Sequence, residues 1–357
     1  MTRALQLAAR GLGRTSPNPT VGAVVVTGER IVGQGFHPKA GAPHAEVLAL
    51  KQAGTRAKGG TLYVTLEPCS HTNKRTPPCV PAIVAAGLHR VVAAMPDPNP
   101  QVNGDGLRKL RRAGLKVAVG CLESQAARLN EGYLHRMKTG RPFVTLKAAI
   151  TLDGKIATAR GESKWITGPL ARRHAHRLRS RMDAILVGVG TVLADNPRLT
   201  ARIGRPSRQP LRVILDSRLR IPRTARILSR QMKSGTVIMT TSRASKIRLA
   251  RLRKAGVAVH VLPTQGRHVS LRACLAGLGK MGVNNLLIEG GGEVIASALQ
   301  AGVVNRLHLY VAPKLLGGQN ARSVIAGVSP RRLTHALAVQ NLRVKKLGPD
   351  FLLEGTL

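Results

Sequence analysis

Three short stretches carry the side chains best suited to chemistry. They are Pro43-His44-Ala45-Glu46, Glu67-Pro68-Cys69, and Cys79 after nine intervening residues. One imidazole and two thiolates fill three positions of a tetrahedral zinc site and leave the fourth for water. Such a metal makes hydroxide available at neutral pH, and an adjacent carboxylate can carry protons to a ring nitrogen and a leaving amine. Glu46 sits two positions after His44, at the expected start of a helix, where it reaches the water without ligating the metal. Pro68 and Pro78 precede the cysteines, which places each thiolate at an element boundary. A purely structural metal, or two buried thiols, would leave Glu46 without a role.

A second set is glycine-based. Leu287-Ile288-Glu289 runs through Gly290-Gly291-Gly292 into a helix over 293–300, and Gly188-Val189-Gly190-Thr191 follows an expected strand over 184–188. Glycines at a strand-to-helix turn let backbone N–H groups approach a pyrophosphate at the positive end of a helix. Each turn alone needs no ligand; the two together point to a dinucleotide. The helix over 171–181 carries Arg172, Arg173, Arg177, Arg179 and Arg181, mostly as a solvated face. Lys147, on the first strand of this half, is a candidate to orient or protonate a sugar, although a strand lysine is more often exposed.

These residues hang on alternating strands and helices. Strands are predicted at 21–26, 61–66, 90–95 and 115–119, with helices at 44–54, 79–87 and 104–113, giving an α/β layer sandwich. A helix around 123–136 is expected to bridge to the second half. Further strands are predicted at 143–150, 184–188, 211–216, 236–241, 257–262, 285–289 and 306–312; the Arg- and Pro-containing 200–235 stretch reads mainly as loops. The domains expected are 1–122, a bridging helix or linker over 123–140, and 141–357.

Composition narrows the class. A chain of 357 residues with 43% apolar content can bury two cores. No run approaches the length that crosses a bilayer. Met1–Arg14 reads as a first helix rather than a targeting peptide, which suggests a cytoplasmic protein. Four cysteines are too few for a disulfide framework; Cys121 and Cys274 stand alone. Net charge is +41: 19 basic against 7 acidic residues in 1–140, and 38 against 9 in the remainder. Such a charge attracts polyanions at low salt whatever the activity. With 2% aromatics, stacking platforms for single-stranded nucleic acid are scarce. A polynucleotide deaminase with a basic C-terminal binding domain remains the alternative, but it gives no reason for the glycine turns.

The order of His44, Glu46, Pro68, Cys69 and Cys79 matches the zinc-deaminase pattern H-x-E…P-C-x-x-C, with a longer gap between the cysteines. That gap, Cys69-Ser70-His71-Thr72-Asn73-Lys74-Arg75-Thr76-Pro77-Pro78-Cys79, resembles the zinc loop of the bifunctional riboflavin-biosynthesis deaminase–reductases. The resemblance continues in Ser16-Pro17-Asn18-Pro19-Thr20-Val21-Gly22, His37, Asp97-Pro98-Asn99-Pro100, Leu152-Asp153-Gly154-Lys155 and Gly161-Glu162-Ser163-Lys164-Trp165-Ile166-Thr167. It extends through Thr191-Val192-Leu193-Ala194-Asp195-Asn196-Pro197, Leu215-Asp216-Ser217, Glu289-Gly290-Gly291-Gly292 and Ala312-Pro313-Lys314-Leu315-Leu316-Gly317.

The resemblance implies a cytidine-deaminase-like α/β/α sandwich followed by a dihydrofolate-reductase-like α/β domain. It implies one catalytic zinc on His44, Cys69 and Cys79, with Glu46 as proton shuttle. Asn18, His37, His71, Asp97 and Asn99 would hold the pyrimidine, and Lys74 would lie near its phosphate. A polar heterocycle needs such partners or its own donors and acceptors go unpaired. NADPH would meet Ala149, Trp165, Thr191, Asp195, Ser217, Gly291, Gly292, Glu293, Val294, Ile295, Ala296 and Ser297. The reductase substrate would meet Ser163, Arg179, Leu199, Arg202 and Glu289, with Lys147 beside it, and the two arginines suit its phosphate. A homodimer through the reductase half is also implied.

Overall fold

The computed structural model describes residues 1–72, 76–204 and 208–357, and the chain separates at Gly140 into two units, Met1–Gly140 and Arg141–Leu357. In the first unit the strands are β1 (Gly22–Thr27), β2 (Arg30–Phe36), β3 (Thr61–Val64), β4 (Arg90–Ala93) and β5 (Lys116–Val119). They form one sheet in the order β2-β1-β3-β4-β5. β1 is antiparallel to both neighbours, while β3, β4 and β5 run parallel. The helices are α1 (Thr2–Ala8), α2 (Ala45–Ala53), α3 (Cys79–Ala85), α4 (Asp105–Arg112), α5 (Glu123–Leu129) and α6 (Glu131–Thr139). Ala23, Val25, Ala49, Leu62, Val64, Ile83 and Val91 fill the core between sheet and helices.

Two differences from the sequence expectation matter. β2 has no counterpart in it, because Gly33 and Gly35 stand where a strand would show apolar side chains. Those glycines let α2 lie against the strand. A Cβ on Gly33 would meet the Ala49 carbonyl oxygen at 2.1 Å, and one on Gly35 the Ala45 carbonyl oxygen at 2.5 Å. The single helix expected over 123–136 is two, both inside the first unit, with Asn130 at the break. Its amide is engaged elsewhere: Oδ1 accepts from Thr20 N at 2.7 Å and Nδ2 donates to Thr20 O at 2.9 Å.

The second unit is built on a nine-stranded sheet. Its strands are β6 (Phe143–Thr151), β7 (Lys155–Ala157), β8 (Ala184–Gly188), β9 (Leu211–Leu215), β10 (Thr236–Thr240), β11 (Ala258–Val261), β12 (Thr264–Gln265) and β13 (His268–Val269). They continue as β14 (Asn285–Gly290), β15 (Arg306–Ala312), β16 (Arg322–Ser323), β17 (Gln340–Leu347) and β18 (Asp350–Thr356). The order is β11-β10-β9-β8-β14-β6-β15-β18-β17, with β7 and β12–β13 in small accessory pairs. Pairing is parallel from β11 to β15 and antiparallel at β15–β18–β17. β8 and β10 are buried at every position, as parallel strands covered on both faces must be, and each has an apolar centre, Ile185–Val187 and Val237–Met239. Helices α7 (Pro169–Ser180), α8 (Val189–Asp195), α9 (Lys246–Lys254), α10 (Leu271–Lys280) and α11 (Gly292–Gln300) connect and cover the strands. β17 and β18 are absent from the sequence expectation: β17 is exposed almost throughout and its lysines and arginine mask any alternation. Among the described residues no helix is long and apolar enough to cross a membrane.

Candidate active sites

The first site is assembled at the start of α2. The close approach at Gly33 and Gly35 fixes that helix, with His44 at its N-cap and Glu46 buried in its first turn. Cys79 opens α3, and its N–H and that of Val80 donate to the Cys69 carbonyl oxygen at 3.0 and 3.3 Å, which folds the two cysteines together. His44 Nδ1 lies 3.2 Å from Cys79 Sγ and 3.4 Å from Cys69 Sγ, and the three ligand atoms all fall within 4.8 Å of one another. Tetrahedral zinc, with bonds of about 2.3 Å to sulfur and 2.0–2.1 Å to nitrogen, would separate N and S by roughly 3.5 Å. The donor set and its spacing therefore fit zinc. An imidazole bound through Nδ1 carries its proton on Nε2, and Thr76 Oγ1 stands 3.0 Å away to accept it. Burial raises the proton affinity of Glu46, and the Cys69 sulfur adds to it. A carboxyl that holds a proton readily beside a metal site suits a shuttle.

Of the predicted pyrimidine contacts, His37 lies against this centre and is paired with Asn18. Asn18 Nδ2 and His37 Nε2 are 3.1 Å apart, His37 Nδ1 lies 3.2 Å from the Pro43 carbonyl oxygen, and the His37 and His44 rings meet edge-on at 5.3 Å. Burial lowers the His37 pKa, which keeps the ring neutral at physiological pH. Asp97 is buried, and burial lifts its carboxyl to about 6 against the pull of donors from Asn99 N and Tyr133. His71 is half-buried on the loop after Cys69, and Lys74 lies outside the described residues. Sequence reasoning missed Glu67. Its buried carboxylate accepts from the backbone N–H of Asp97, Gly104 and Leu107 at 3.1, 2.9 and 3.2 Å, tying the Asp97–Asn99 loop and α4 to the Cys69 turn. It also missed Thr76 and Tyr133; as one of three tyrosines in an aromatic-poor chain, Tyr133 offered the only signal.

In the second unit the two glycine turns end adjacent parallel strands, β8 and β14. Gly291 caps α11 at φ +76°, a conformation that favours glycine. A Cβ on Gly188 would strike Val294 Cγ2 at 2.8 Å, and Thr191 Oγ1 lies 3.4 Å from where a Cβ of Gly290 or Gly291 would stand. The result is a side-chain-poor cradle between two helix starts, which fits the pyrophosphate of NADPH. Ser163 Oγ donates to Asp195 Oδ1 at 3.3 Å, joining a predicted substrate residue to a predicted cofactor residue. Trp165 is exposed, with the Arg172 guanidinium 4.5 Å above its ring. Ser217 Oγ accepts from Val269 N at 3.1 Å.

Several expected contacts are also engaged within the protein. The helix expected over 293–300 is α11; the Ile295 and Ala296 side chains are buried in it, and Glu293 and Ser297 are exposed. Leu199 is buried in the core with Ile185 and Val187, which leaves only its backbone for contact. Arg179 is no free phosphate fork: its Nε donates to Glu289 Oε1 at 2.7 Å, its Nη2 to Oε2, and its Nη1 to Thr200 O at 3.3 Å. Arg202 is exposed, and its Nη1 reaches Thr200 Oγ1 at 3.4 Å. Burial alone would raise the Glu289 carboxyl, but Arg179 and Lys147 outweigh it and hold it at about 2. Burial lowers the Lys147 ammonium, opposed by Glu289, and Lys147 Nζ lies 5.7 Å from the Tyr310 ring centroid.

Known proteins share both units. The cytidine and deoxycytidylate deaminase zinc-binding region matches residues 1–95, and the RibD C-terminal domain matches residues 142–353. Riboflavin biosynthesis protein RibD of Bacillus amyloliquefaciens is 46% identical over 353 residues, covering 99% of this chain and 94% of the relative. That of Escherichia coli K12 is 44% identical over 365 residues, covering 99% and 97%. Among solved structures, Acinetobacter baumannii RibD superposes with a TM-score of 0.91 at 42% identity, covering 99% and 97% of the two chains. The Thermotoga maritima diaminohydroxyphosphoribosylaminopyrimidine deaminase/5-amino-6-(5-phosphoribosylamino)uracil reductase does so at 0.88 and 36%, covering 100% and 97%. With a His–Cys–Cys centre in one unit and a glycine cradle in the other, the chain belongs to the RibD family of bifunctional riboflavin-biosynthesis enzymes, deaminases that use zinc and reductases that use NADPH.

Proposed function

We propose that the first unit converts 2,5-diamino-6-(5-phosphoribosylamino)pyrimidin-4(3H)-one to 5-amino-6-(5-phosphoribosylamino)uracil with release of ammonia, and that the second reduces its ribosyl group to ribityl. The observation that carries this reading is His44 Nδ1 set against both cysteine sulfurs, with the buried Glu46 two residues on. Zinc, when held there, supplies the acidity that makes water a nucleophile at neutral pH. Glu46 takes the proton released by that water, delivers it to the ring nitrogen, and then assists departure of ammonia. Asn18, His37, His71, Asp97 and Asn99 hold the edge of the ring, with Lys74 toward the phosphate.

NADPH, when bound, supplies hydride to the sugar carbon. Thr191, Gly291 and Gly292 form its cradle, and Ala149, Trp165, Asp195 and Ser217 border it. Lys147 orients the sugar and gives the proton that its oxygen needs as hydride arrives. Glu289 is shared by Arg179 and Lys147, two cations against one carboxylate, and Ser163 and Arg202 bind the rest of the substrate.

A homodimer through the second unit belongs to the same reading. β17 lies at the end of the nine-stranded sheet with Leu342 and Val344 exposed, and Val339 and Phe351 nearby are exposed as well. An edge strand of this kind is a template for pairing. The enzyme is placed in the cytoplasm, where a reducing milieu keeps metal-binding thiols reduced. Its +41 charge gives salt-sensitive, sequence-blind association with polyanions rather than a specific nucleic-acid partner.

Glu46→Gln tests the separation of sites. Ammonia release should fall by about 10²–10⁴-fold, while NADPH-dependent reduction of the pre-deaminated aminouracil persists. Loss of both activities together would count against two independent centres.

A further inference from the structure

The helix pair α5–α6 turns its polar side chains back onto the loops that carry the expected pyrimidine contacts. Asn130 clamps both backbone groups of Thr20, and Arg136 Nη2 donates to Pro17 O at 3.0 Å, so the loop bearing Asn18 is held from this side. Tyr133 acts on the second loop. Its ring is buried in a cluster with Leu5, Leu66, Ala94, Met95 and Ala126, 6% exposed, and so has little freedom to move. Its hydroxyl donates to Asp97 Oδ1 at 2.9 Å, the same oxygen that accepts from Asn99 N at 2.9 Å. One carboxylate oxygen thus ties the Tyr133 hydroxyl to the loop that carries both residues expected to face the ring.

The geometry at Asp97 gives this contact a consequence. Both donors to the carboxylate, Tyr133 Oη and Asn99 N, converge on Oδ1. Among the described residues none donates to Oδ2. A carboxylate pinned through one oxygen presents the other in a fixed direction, which is what recognition of an amino-pyrimidinone edge by an acceptor requires.

We propose that Tyr133 is a positioning residue of the deaminase site: its hydroxyl, bonded to Asp97 Oδ1, sets the oxygen that Asp97 turns to the pyrimidine. The inference rests on the reading of Asp97 as a ring contact. It makes α5–α6 a working part of the deaminase rather than a bridge.

The test is a double-mutant cycle on the zinc-loaded full chain, read as equilibrium binding of the diaminopyrimidinone ribosylamine phosphate in a Glu46→Gln background, where bound substrate survives. Tyr133→Phe keeps the ring and removes only the hydroxyl. It should weaken binding by about tenfold, and Asp97→Ala should weaken it at least as much. Added to Asp97→Ala, Tyr133→Phe should then change binding by less than about twofold. With Glu46 intact, Tyr133→Phe should raise KM for deamination with kcat nearly unchanged, a split that general loosening of the fold does not produce. Zinc content and reduction of the pre-deaminated compound report on folding. A silent Tyr133→Phe beside a damaging Asp97→Ala overturns the inference alone, as does an equal Tyr133→Phe loss with and without Asp97. An Asp97→Ala protein of unchanged affinity overturns the reading of Asp97, and the inference falls with it.

Discussion

Gly35→Ala tests whether close packing of α2 on β2 positions the deaminase centre. The added Cβ would lie 2.5 Å from the Ala45 carbonyl oxygen, 2.7 Å from Leu48 Cβ and 2.8 Å from Ala49 N, two of them backbone atoms of the helix. An ordinary contact of 3.4 Å requires the helix start to retreat by about 0.9 Å. His44 and Glu46 ride on that first turn. Metal–ligand distances tolerate about 0.2 Å, and misplacing a catalytic group by about 1 Å costs on the order of 10²-fold in rate. Overpacking of this kind destabilises by about 1–3 kcal/mol. Gly35→Ala should therefore weaken zinc retention and lower the kcat of ammonia release by about 100-fold. Reduction of the pre-deaminated compound should be unaffected, since the second unit folds on its own core. Metal content by competition with a chromophoric chelator, together with separate assays of the two half-reactions, reads all three. A variant that keeps its zinc and deaminates within about threefold of the parent would refute the argument that the glycines set the geometry.

Other consequences concern both units. Thr76→Val removes the acceptor for His44 Nε2 while keeping side-chain shape, and zinc affinity should drop by about 10- to 100-fold; unchanged affinity would mean the contact orients nothing. Removing zinc by chelation should stop ammonia release and lower the melting temperature of the first unit, with reduction of the pre-deaminated compound intact. Glu289 is held at about 2 against an ordinary 4.5, so its stabilising effect is present above pH 4.5 and is lost as pH falls toward 2. That shift corresponds to about 3 kcal/mol. Glu289→Gln also leaves the Arg179 guanidinium without its partner, a cost of about 3–5 kcal/mol. Denaturant midpoints from pH 2 to 7 should show the variant less stable near neutrality and flatter on the acid side; parallel curves would contradict the assignment.

The chemistry was more legible in the chain than its support. His44, Glu46, Cys69 and Cys79 stand out because reactive side chains fall at element boundaries in an order that zinc chemistry requires, and the structure brings the His44, Cys69 and Cys79 ligand atoms together. β15 could be read at its observed bounds because Leu307, Leu309, Tyr310, Val311 and Ala312 make it mostly apolar and β-prone. β2 could not, since glycines chosen for close packing carry no periodicity. β17 was hidden by the charges of an exposed strand. The largest gap was α5–α6: the partners of Asn130 lie 110 residues away and that of Tyr133 lies 36 away, so no local pattern announces them. Arg179 shows what residue type alone leaves out: it suited a phosphate, and the fold also sets the Glu289 carboxylate against it. Ile295, Ala296 and Leu199 fell within segments expected to touch ligands, yet periodicity in the fold turned their side chains into the core.

The most direct test of two activities acting in order is to incubate the zinc-loaded protein with the diaminopyrimidinone ribosylamine phosphate, with and without NADPH. Ammonia and NADPH absorbance are followed together. The account predicts ammonia in both samples and NADPH oxidation, after a lag, where the cofactor is present. Ammonia without NADPH oxidation would contradict the reductase assignment, and the absence of ammonia from both would contradict the central claim.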